Sequence, residues 1–531
     1  MLAALGAAAG AFVVVGGSGA GAPAVHHHRP KPAPATFAGP DGVESRAIIA
    51  ENARPGTNSW QITAEPPTGF IEGFAATTSA RPGESVALYV STSAASFRVV
   101  AFRMGWYGGS GGREVWQSRP LRGVDQPPCP LTPGINMVSC DNWHRSLSVR
   151  LTRAFVPGDY LLKLVASGGQ QAYVLLTIWS PASRSTYVLI ARSMTEEGWN
   201  TFGGYDFYQG LGSCAPTYPP CNRARVVSFD RPYAAEHGAA DFLANELPLV
   251  ELVERDGLDV SYVTDVTVSA HPWLLERHKA ILSLAHDETW TASELTGLRR
   301  ALAHGVNVAF FSAAAIVRHA RLQASVLGPN REVVDYRDAA ADPLAGKASP
   351  LAVTGNTWAS PPTDIAVSAI TGELYSGFVD PGAAPVPFVV YDAHAFVFKG
   401  TGLHDGTPIP GVIASDIDHV APAYPMPADL QVLGHSPVPL SVAYTNQGEW
   451  NGVTYSDMTY YTEPGSKAGV LDTGTVNWID ALSPCAPGTR RCAAPLVARI
   501  TENVLALFGR GPAGRFVPSV PNWRRVMPAG S

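Results

Sequence analysis

Charge is scarce in this chain. Asp, Glu, Lys and Arg make up 15% of its 531 residues, and the net charge of −6 at pH 7 contains no block of one sign. That excludes nucleic acid or an anionic membrane surface as the main partner and favours a small or neutral molecule. Cysteine is limited to six residues with no CxxC spacing, which removes the usual zinc arrangement. The apolar N-terminal stretch falls short of the roughly 20 residues of a membrane span. What remains is 46% apolar. A chain of this length exceeds one ordinary core, so two globular domains with terminal extensions are expected.

The first residues, "MLAALGAAAGAFVVVGGSGAGAPA", carry no charge and end in small residues, with Ala22-Pro23-Ala24 as an A-x-A site. Residues 1–24 therefore read as an export signal. Its basic n-region is missing, which means a start upstream or a weak signal. His26-His27-His28 and the Pro/Ala-rich run that follows read as a tether over 25–44. The cysteines fall into three close pairs, Cys129 with Cys140, Cys214 with Cys221, and Cys485 with Cys492, each bracketing a Pro- or Gly-containing loop. Local disulfides in an oxidising, secreted or cell-envelope setting suit that pattern.

From 45 to 180 the chain reads as a β-sandwich. "ESVALYVST", "SFRVVAFRMGWY", "GDYLLKLVAS" and "QAYVLLTIW" are short alternating or β-branched runs separated by Gly, Pro and Ser, and no helix longer than a turn is expected. In "FRMGWYGGSGGR", Trp106 and Tyr107 form either a stacking platform for a sugar or a hairpin docked on the next domain. From 185 to 510 apolar strands such as "STYVLIAR", "LDVSYVTD", "AILSLA" and "VNVAFFSA" alternate with amphipathic helices. That is the rhythm of a doubly wound, largely parallel α/β sheet. Residues 511–531 form a C-terminal tail.

The stretch "ILSLAHDETWTASEL" sets His286, Asp287 and Glu288 between a strand and a helix opened by the capping box Thr291-Ala292-Ser293-Glu294. Beyond strand C-termini is where open α/β sheets bind ligands. A carboxylate there either complements the helix dipole or does chemistry. This turn holds no Ser or Cys, so a nucleophile elbow is excluded and metal-assisted or acid/base chemistry remains. The loop 198–214, after the first strand of the same sheet, opens on the same edge and brings Tyr205 and Tyr208. A phenolate beside a carboxylate suits a hard cation.

Taken together, "NSWQIT", "IEGFAATTS", "FRMGWYGGSGGR", "VSFDRPYA", "ELPLVELVERDGLDVSYVTD", "ILSLAHDETW", "GVNVAFFSA", "FKGTGLHDG" and "MTYY" resemble the large (beta) subunit family of N,N-dimethylformamidase, over about residues 58–480. The resemblance implies an Ig- or lectin-like β domain followed by a glutamine-amidotransferase-like α/β domain. It also implies hydrolysis of a small amide at a mononuclear iron held by two tyrosines and one glutamate, with a small partner subunit or a homo-oligomer as the assembly. It makes Glu288 a metal ligand and His286 a residue for binding or proton transfer. Where the family reads Tyr-Asn-x-Trp-Gly-Gly, this chain reads Trp199-Asn200-Thr201-Phe202-Gly203-Gly204. One tyrosine ligand is thus absent, and Tyr205 or Tyr208 is its substitute. Asp416, in place of a family glutamate, is a candidate base. The other reading is a cell-envelope ligand- or glycan-binding protein on the same scaffold.

Overall fold

The computed structural model describes residues 35–213, 221–446, 449, 451–485 and 492–526. The expected signal segment and most of the expected tether lie outside them. Residues Thr36–Ala38 and Val43–Ser45, at the end of that tether, pair as a hairpin. Asp259 donates its backbone N–H to Val43 (2.8 Å), so this end of the tether is fixed to the α/β region.

The sandwich has a three-stranded antiparallel sheet (Leu147–Arg150, Ser85–Thr92, Ile71–Ala75). Against it stands a larger sheet centred on Gly158–Ala166, flanked by Gln171–Ile178 and Ser96–Met104. Strand periodicity explains the assembly. Along Ser96–Met104, Phe97, Val99 and Ala101 enter the core between the sheets, while Val100, Phe102 and Met104 point the other way, onto Phe242 and Leu247. The larger sheet is therefore buried on both faces, which is why its strands read as nearly continuous apolar runs. One expectation fails here: Arg46–Asn52 is a seven-residue helix, longer than the single turn foreseen. Its Glu51 and Asn52 are used in tertiary contacts, since Glu51 accepts from Tyr107 and Arg113, and Asn52 accepts the backbone N–H of Trp106. The "MGWYGG" hairpin thus docks, with Tyr107 buried.

The α/β region is built on seven strands: β1 (Tyr187–Ala191), β2 (Val260–Thr264), β3 (Ala280–His286), β4 (Asn307–Ala313), β5 (Gln431–Pro439), β6 (Val453–Thr462) and β7 (Gly469–Asp472). Their order is 2-1-3-4-7-6-5; β2, β1, β3, β4 and β7 are parallel, β6 runs against them, and β5, antiparallel to β6, runs with them again. Alternation again sorts the faces. Leu189 and Leu282 meet the helices Leu247–Arg255 and Ala494–Phe508, whereas Val188, Ile190 and Ile281 meet Ala292–Ala303. Helices therefore cover both faces. The edge strand β5 is closed by the tail, where Asn522 accepts from the N–H of Val432 (2.6 Å) and donates to its carbonyl (2.9 Å). Among the described residues no helix is long and apolar enough to cross a membrane.

Candidate active site

β3 ends at the carboxyl edge of the sheet, and its last turn is bent. Ala285 has φ +42°, a conformation costly for an L-residue, immediately before His286, the last residue of the strand. The helix that follows is capped by Thr291, whose side chain accepts from the N–H of Glu294 (3.2 Å). The capping box is half used, because Glu294 turns to Arg192 (3.1 Å). With the helix capped by Thr291, the triplet is engaged elsewhere.

Asp287 is an anchor. It is fully buried, paired with Arg192 (2.7 Å), and accepts from the Ser283 hydroxyl and the Trp290 indole (2.6 Å). Glu288 faces the opposite way, into a cluster of distant residues. Its Oε1 accepts from Arg318 Nε (2.9 Å), and its Oε2 accepts from the Tyr208 hydroxyl and from the Trp199 indole (3.3 Å). Burial alone would favour the neutral acid, but Arg318, His286 and Arg337 outweigh it and hold Glu288 at about 2. Tyr208 is pushed upward by burial and by the charge of Glu288, so it stays a phenol and donates. Its ring lies between Trp199, stacked at 3.6 Å, and the Arg337 guanidinium at 4.1 Å.

His286 completes the group. Its Nε2 is 2.9 Å from Asp416 Oδ2 and 3.7 Å from Glu288 Oε2. Burial disfavours imidazolium, yet the two carboxylates raise His286 to about 9. Asp416 arrives from the strand Asp416–His419, 130 residues downstream. Four sequence candidates, His286, Glu288, Tyr208 and Asp416, thus converge. Tyr205 and Tyr208 both border the neighbouring apolar cluster, but of the two it is Tyr208 whose hydroxyl donates to Glu288 among the described residues. Sequence reading missed Arg318 and Arg337. Each is a single arginine in a strand or loop, and only the fold aims them at the triplet.

The donor chemistry can be tested against iron. Arg318 occupies one oxygen of Glu288, leaving Oε2 beside the Tyr208 hydroxyl, with His286 Nε2 close by. A hard cation bound between Tyr208 and Glu288 would have to displace the proton of the Tyr208 hydroxyl. In donor type, the Tyr208 hydroxyl and Glu288 Oε2 are compatible with a hard cation. Trp199, which stands where the family resemblance places a tyrosine, donates to Glu288 Oε2 (3.3 Å), and an indole N–H cannot ligate. Among the described residues the group of carboxylates that converges elsewhere, Asp41, Asp256 and Glu502, is paired with Arg255 and Arg499 and lies outside this site.

Both described disulfides, Cys129–Cys140 and Cys485–Cys492, have the expected pairing. Cys214 lies outside the described residues.

Comparison with known proteins gives two kinds of match. Solved structures with partial likeness include a Paenibacillus sp. cycloisomaltooligosaccharide glucanotransferase complexed with cycloisomaltoheptaose (9% identity, 25% of this chain and 16% of that one, TM-score 0.14). Another is murine CEACAM1b (10% identity, 22% of this chain and 61% of that one, TM-score 0.12). This chain spans less than two thirds of either, and at such scores neither bears on fold or function. No curated protein matches. The family model described as N,N-dimethylformamidase beta subunit-like, C-terminal, matches residues 98–492, well over half of the sequence. The chain belongs to the N,N-dimethylformamidase beta subunit-like family.

Proposed function

We propose that this protein is an exported, metal-dependent hydrolase of a small amide or related C–N bond. Family membership supports a hydrolase. The observation that carries the finer reading is the convergence of Tyr208, Glu288, His286 and Asp416 at the carboxyl edge of the sheet. Tyr208 and Glu288 would hold a single ferric ion, whose Lewis acidity supplies polarisation of the substrate carbonyl. Arg318 fixes the carboxylate that faces it. His286, oriented by Asp416, holds a proton at Nε2 and delivers it to the departing amine.

In this reading the domains are an Ig- or lectin-like sandwich over 45–180 and a glutamine-amidotransferase-like region over 185–510. Two local disulfides support an oxidising compartment and hence export. Because the family is named for a beta subunit, a small partner subunit or a homo-oligomer completes the assembly. The test is elemental analysis of purified protein together with formamide hydrolysis after ferric reconstitution. Stoichiometric iron with turnover supports the reading; failure to hold iron, ferrous or zinc ions removes it. The second reading, a non-catalytic envelope binding protein, is favoured by one observation: Trp199 donates to Glu288 where the family resemblance places a tyrosine.

A further inference from the structure

Asp41, Asp256 and Glu502 each bring a carboxylate oxygen to within 4.8 Å of the other two. They come from three elements. Asp41 lies in the turn between Thr36–Ala38 and Val43–Ser45, Asp256 caps the C-terminal end of the helix Leu247–Arg255, and Glu502 lies on the helix Ala494–Phe508. Backbone contacts build this meeting. Gly39 donates its N–H to the Gly42 carbonyl across the turn (2.7 Å), and Ser45 donates to the carbonyl of Gly257, next to Asp256 (2.8 Å). The Tyr187 hydroxyl accepts from the N–H of Val43 (3.3 Å) and donates to the carbonyl of Leu505, one turn from Glu502 (2.8 Å). Gly42 has φ +151°, and a Cβ there would stand 2.3 Å from that hydroxyl, so the turn closes on the α/β region only with glycine.

Two guanidiniums pair with the three carboxylates. Arg255 donates to Asp256 Oδ1 (2.9 Å) and to Glu502 Oε1 (2.6 Å), and Arg499 pairs with Asp41 Oδ1 (2.8 Å) and Glu502 Oε2 (3.0 Å). One negative charge is left in excess. Asp256 shows it most directly: its side chain is 9% exposed, and its Oδ2 has no hydrogen-bond partner among the described residues. A buried anionic acceptor in that state is costly unless a cation satisfies it. Its place at a helix C-terminus adds to the cost, because the dipole there disfavours an anion and favours a cation. Burial, then the charge of Asp256, raises Glu502 above the ordinary carboxylate range; Asp41 adds to this, and Arg499 and Arg255 oppose it without cancelling it.

We propose that Asp41, Asp256 and Glu502 form a calcium site that clamps the N-terminal hairpin to the α/β region. The group offers carboxylate oxygen alone, with no histidine or cysteine, which suits a hard cation. Oxygens within 4.8 Å of one another fall inside the roughly 5 Å that separates opposite ligands of calcium. Magnesium demands a near-ideal octahedron about 4 Å across and sheds its water reluctantly, so three carboxylates on three elements serve it poorly. Arg255 and Arg499 are both exposed and give way as the ion enters. The site shares no residue with the Tyr208–Glu288 group, so it stands apart from the hydrolase reading.

Calorimetric titration of the intact, chelator-treated protein with calcium chloride tests this, with magnesium chloride as comparison at fixed ionic strength. One saturable calcium site is expected, with Kd of about 10⁻⁴–10⁻³ M and weaker binding of magnesium. Asp256→Asn and Asp41→Asn should each weaken calcium about tenfold or more, and Glu288→Gln should leave it unchanged. Thermal unfolding shows that each variant is folded; Asp41→Asn, in a surface turn, keeps the test valid should Asp256→Asn fail to fold. Calcium should raise the unfolding midpoint of the wild type and not that of Asp41→Asn. Absent calcium binding, unchanged affinity in the folded Asp41 or Asp256 variants, magnesium bound as tightly as calcium, or loss of calcium in Glu288→Gln would each overturn the proposal.

Discussion

Arg103 on the sandwich and Glu254 on the helix Leu247–Arg255 form an ion pair in which neither side chain touches solvent. Arg103 Nη1 donates to Glu254 Oε2 at 2.7 Å, and the same carboxylate accepts from Tyr262 (2.7 Å) and Asn52 (2.8 Å). The sandwich and the α/β region are thus joined through a fully hydrogen-bonded buried charge pair. Removing one partner strands the other, so Arg103→Met or Glu254→Gln should each cost about 3–5 kcal/mol. The double replacement by apolar residues should recover most of that loss. Denaturant unfolding of the two single variants and the double variant measures it; additive losses would show that the pair is not coupled.

The disulfides should differ in accessibility. Cys140 is fully buried beside Trp143 and Phe74 although its partner Cys129 is partly exposed, whereas Cys485 and Cys492 are both partly exposed. Mild reduction followed by alkylation should therefore label Cys485 and Cys492 before Cys129 and Cys140. Each loop is short, with separations of 7 and 11 residues, and its closure stabilises by about 2–3 kcal/mol in the chain-entropy model. Mass mapping of timed samples gives the order.

Regular alternation made the fold legible. "LDVSYVTD", "AILSLA" and "VNVAFFSA" became β2, β3 and β4 because central parallel strands must be apolar on both faces. The helix Arg46–Asn52 was not legible, since its stability comes from Glu51 and Asn52 reaching residues 54 to 202 positions away. The site divided in the same way. His286 and Glu288 were marked by their place at a strand end, which is a local signal. Arg318 and Arg337, which fix the ionisation of Glu288, meet it only because the chain after β4 folds back over the triplet. Tyr205 and Tyr208 could not be separated from sequence, because three residues in a glycine-rich loop decide which hydroxyl turns inward.

The cavity between the larger sheet of the sandwich and the helix Ser193–Gly198, bordered by Asp159, Glu196, Glu197 and Glu246, should make stability depend on pH. Burial first, then the charge of Asp159, raises Glu246 from 4.5 to about 8; Asp265 adds to this, and the Arg192 backbone N–H and guanidinium oppose it. Glu196, Asp241, Tyr233, Arg231 and Arg331 face the same space or its continuation. A carboxyl whose folded pKa is raised keeps its proton while the unfolded chain has lost it. Stability from this group is therefore intact below about 4.5 and falls as pH rises toward 8. Glu246→Gln should flatten that part of the pH profile. Denaturation midpoints between pH 5 and about 8 supply the comparison.

Phenylalanine replacements should separate the two tyrosines. Tyr208→Phe removes the hydroxyl that meets Glu288, and should abolish iron binding together with phenolate-to-iron absorption. Tyr205→Phe should keep both. Glu288→Gln should behave like Tyr208→Phe, because an amide keeps the volume but loses the anionic oxygen a hard cation requires. Metal analysis and the visible spectrum of reconstituted protein decide. Iron retained in Tyr208→Phe and lost in Tyr205→Phe would reverse the assignment.

Trp199 gives the most direct test of whether the altered motif limits metal binding. Its indole stacks on Tyr208 and donates to Glu288 Oε2 at 3.3 Å, the oxygen a metal would need. Trp199→Tyr keeps an aromatic face against Tyr208 and exchanges a donor that cannot ligate for a phenol that can. Trp199 is 42% exposed, so the smaller ring leaves no sealed void and the fold should tolerate it. An added anionic oxygen ligand should raise ferric affinity by about tenfold or more, equivalent to about 1.4 kcal/mol, and intensify the charge-transfer band. Trp199→Phe removes the competing N–H without adding a ligand, and so separates relief of competition from new coordination. If the tyrosine and phenylalanine variants bind iron equally, the gain comes from freeing Glu288. If neither exceeds the wild type, Trp199 does not limit the site, and the departure from the family motif lies in how substrate is held.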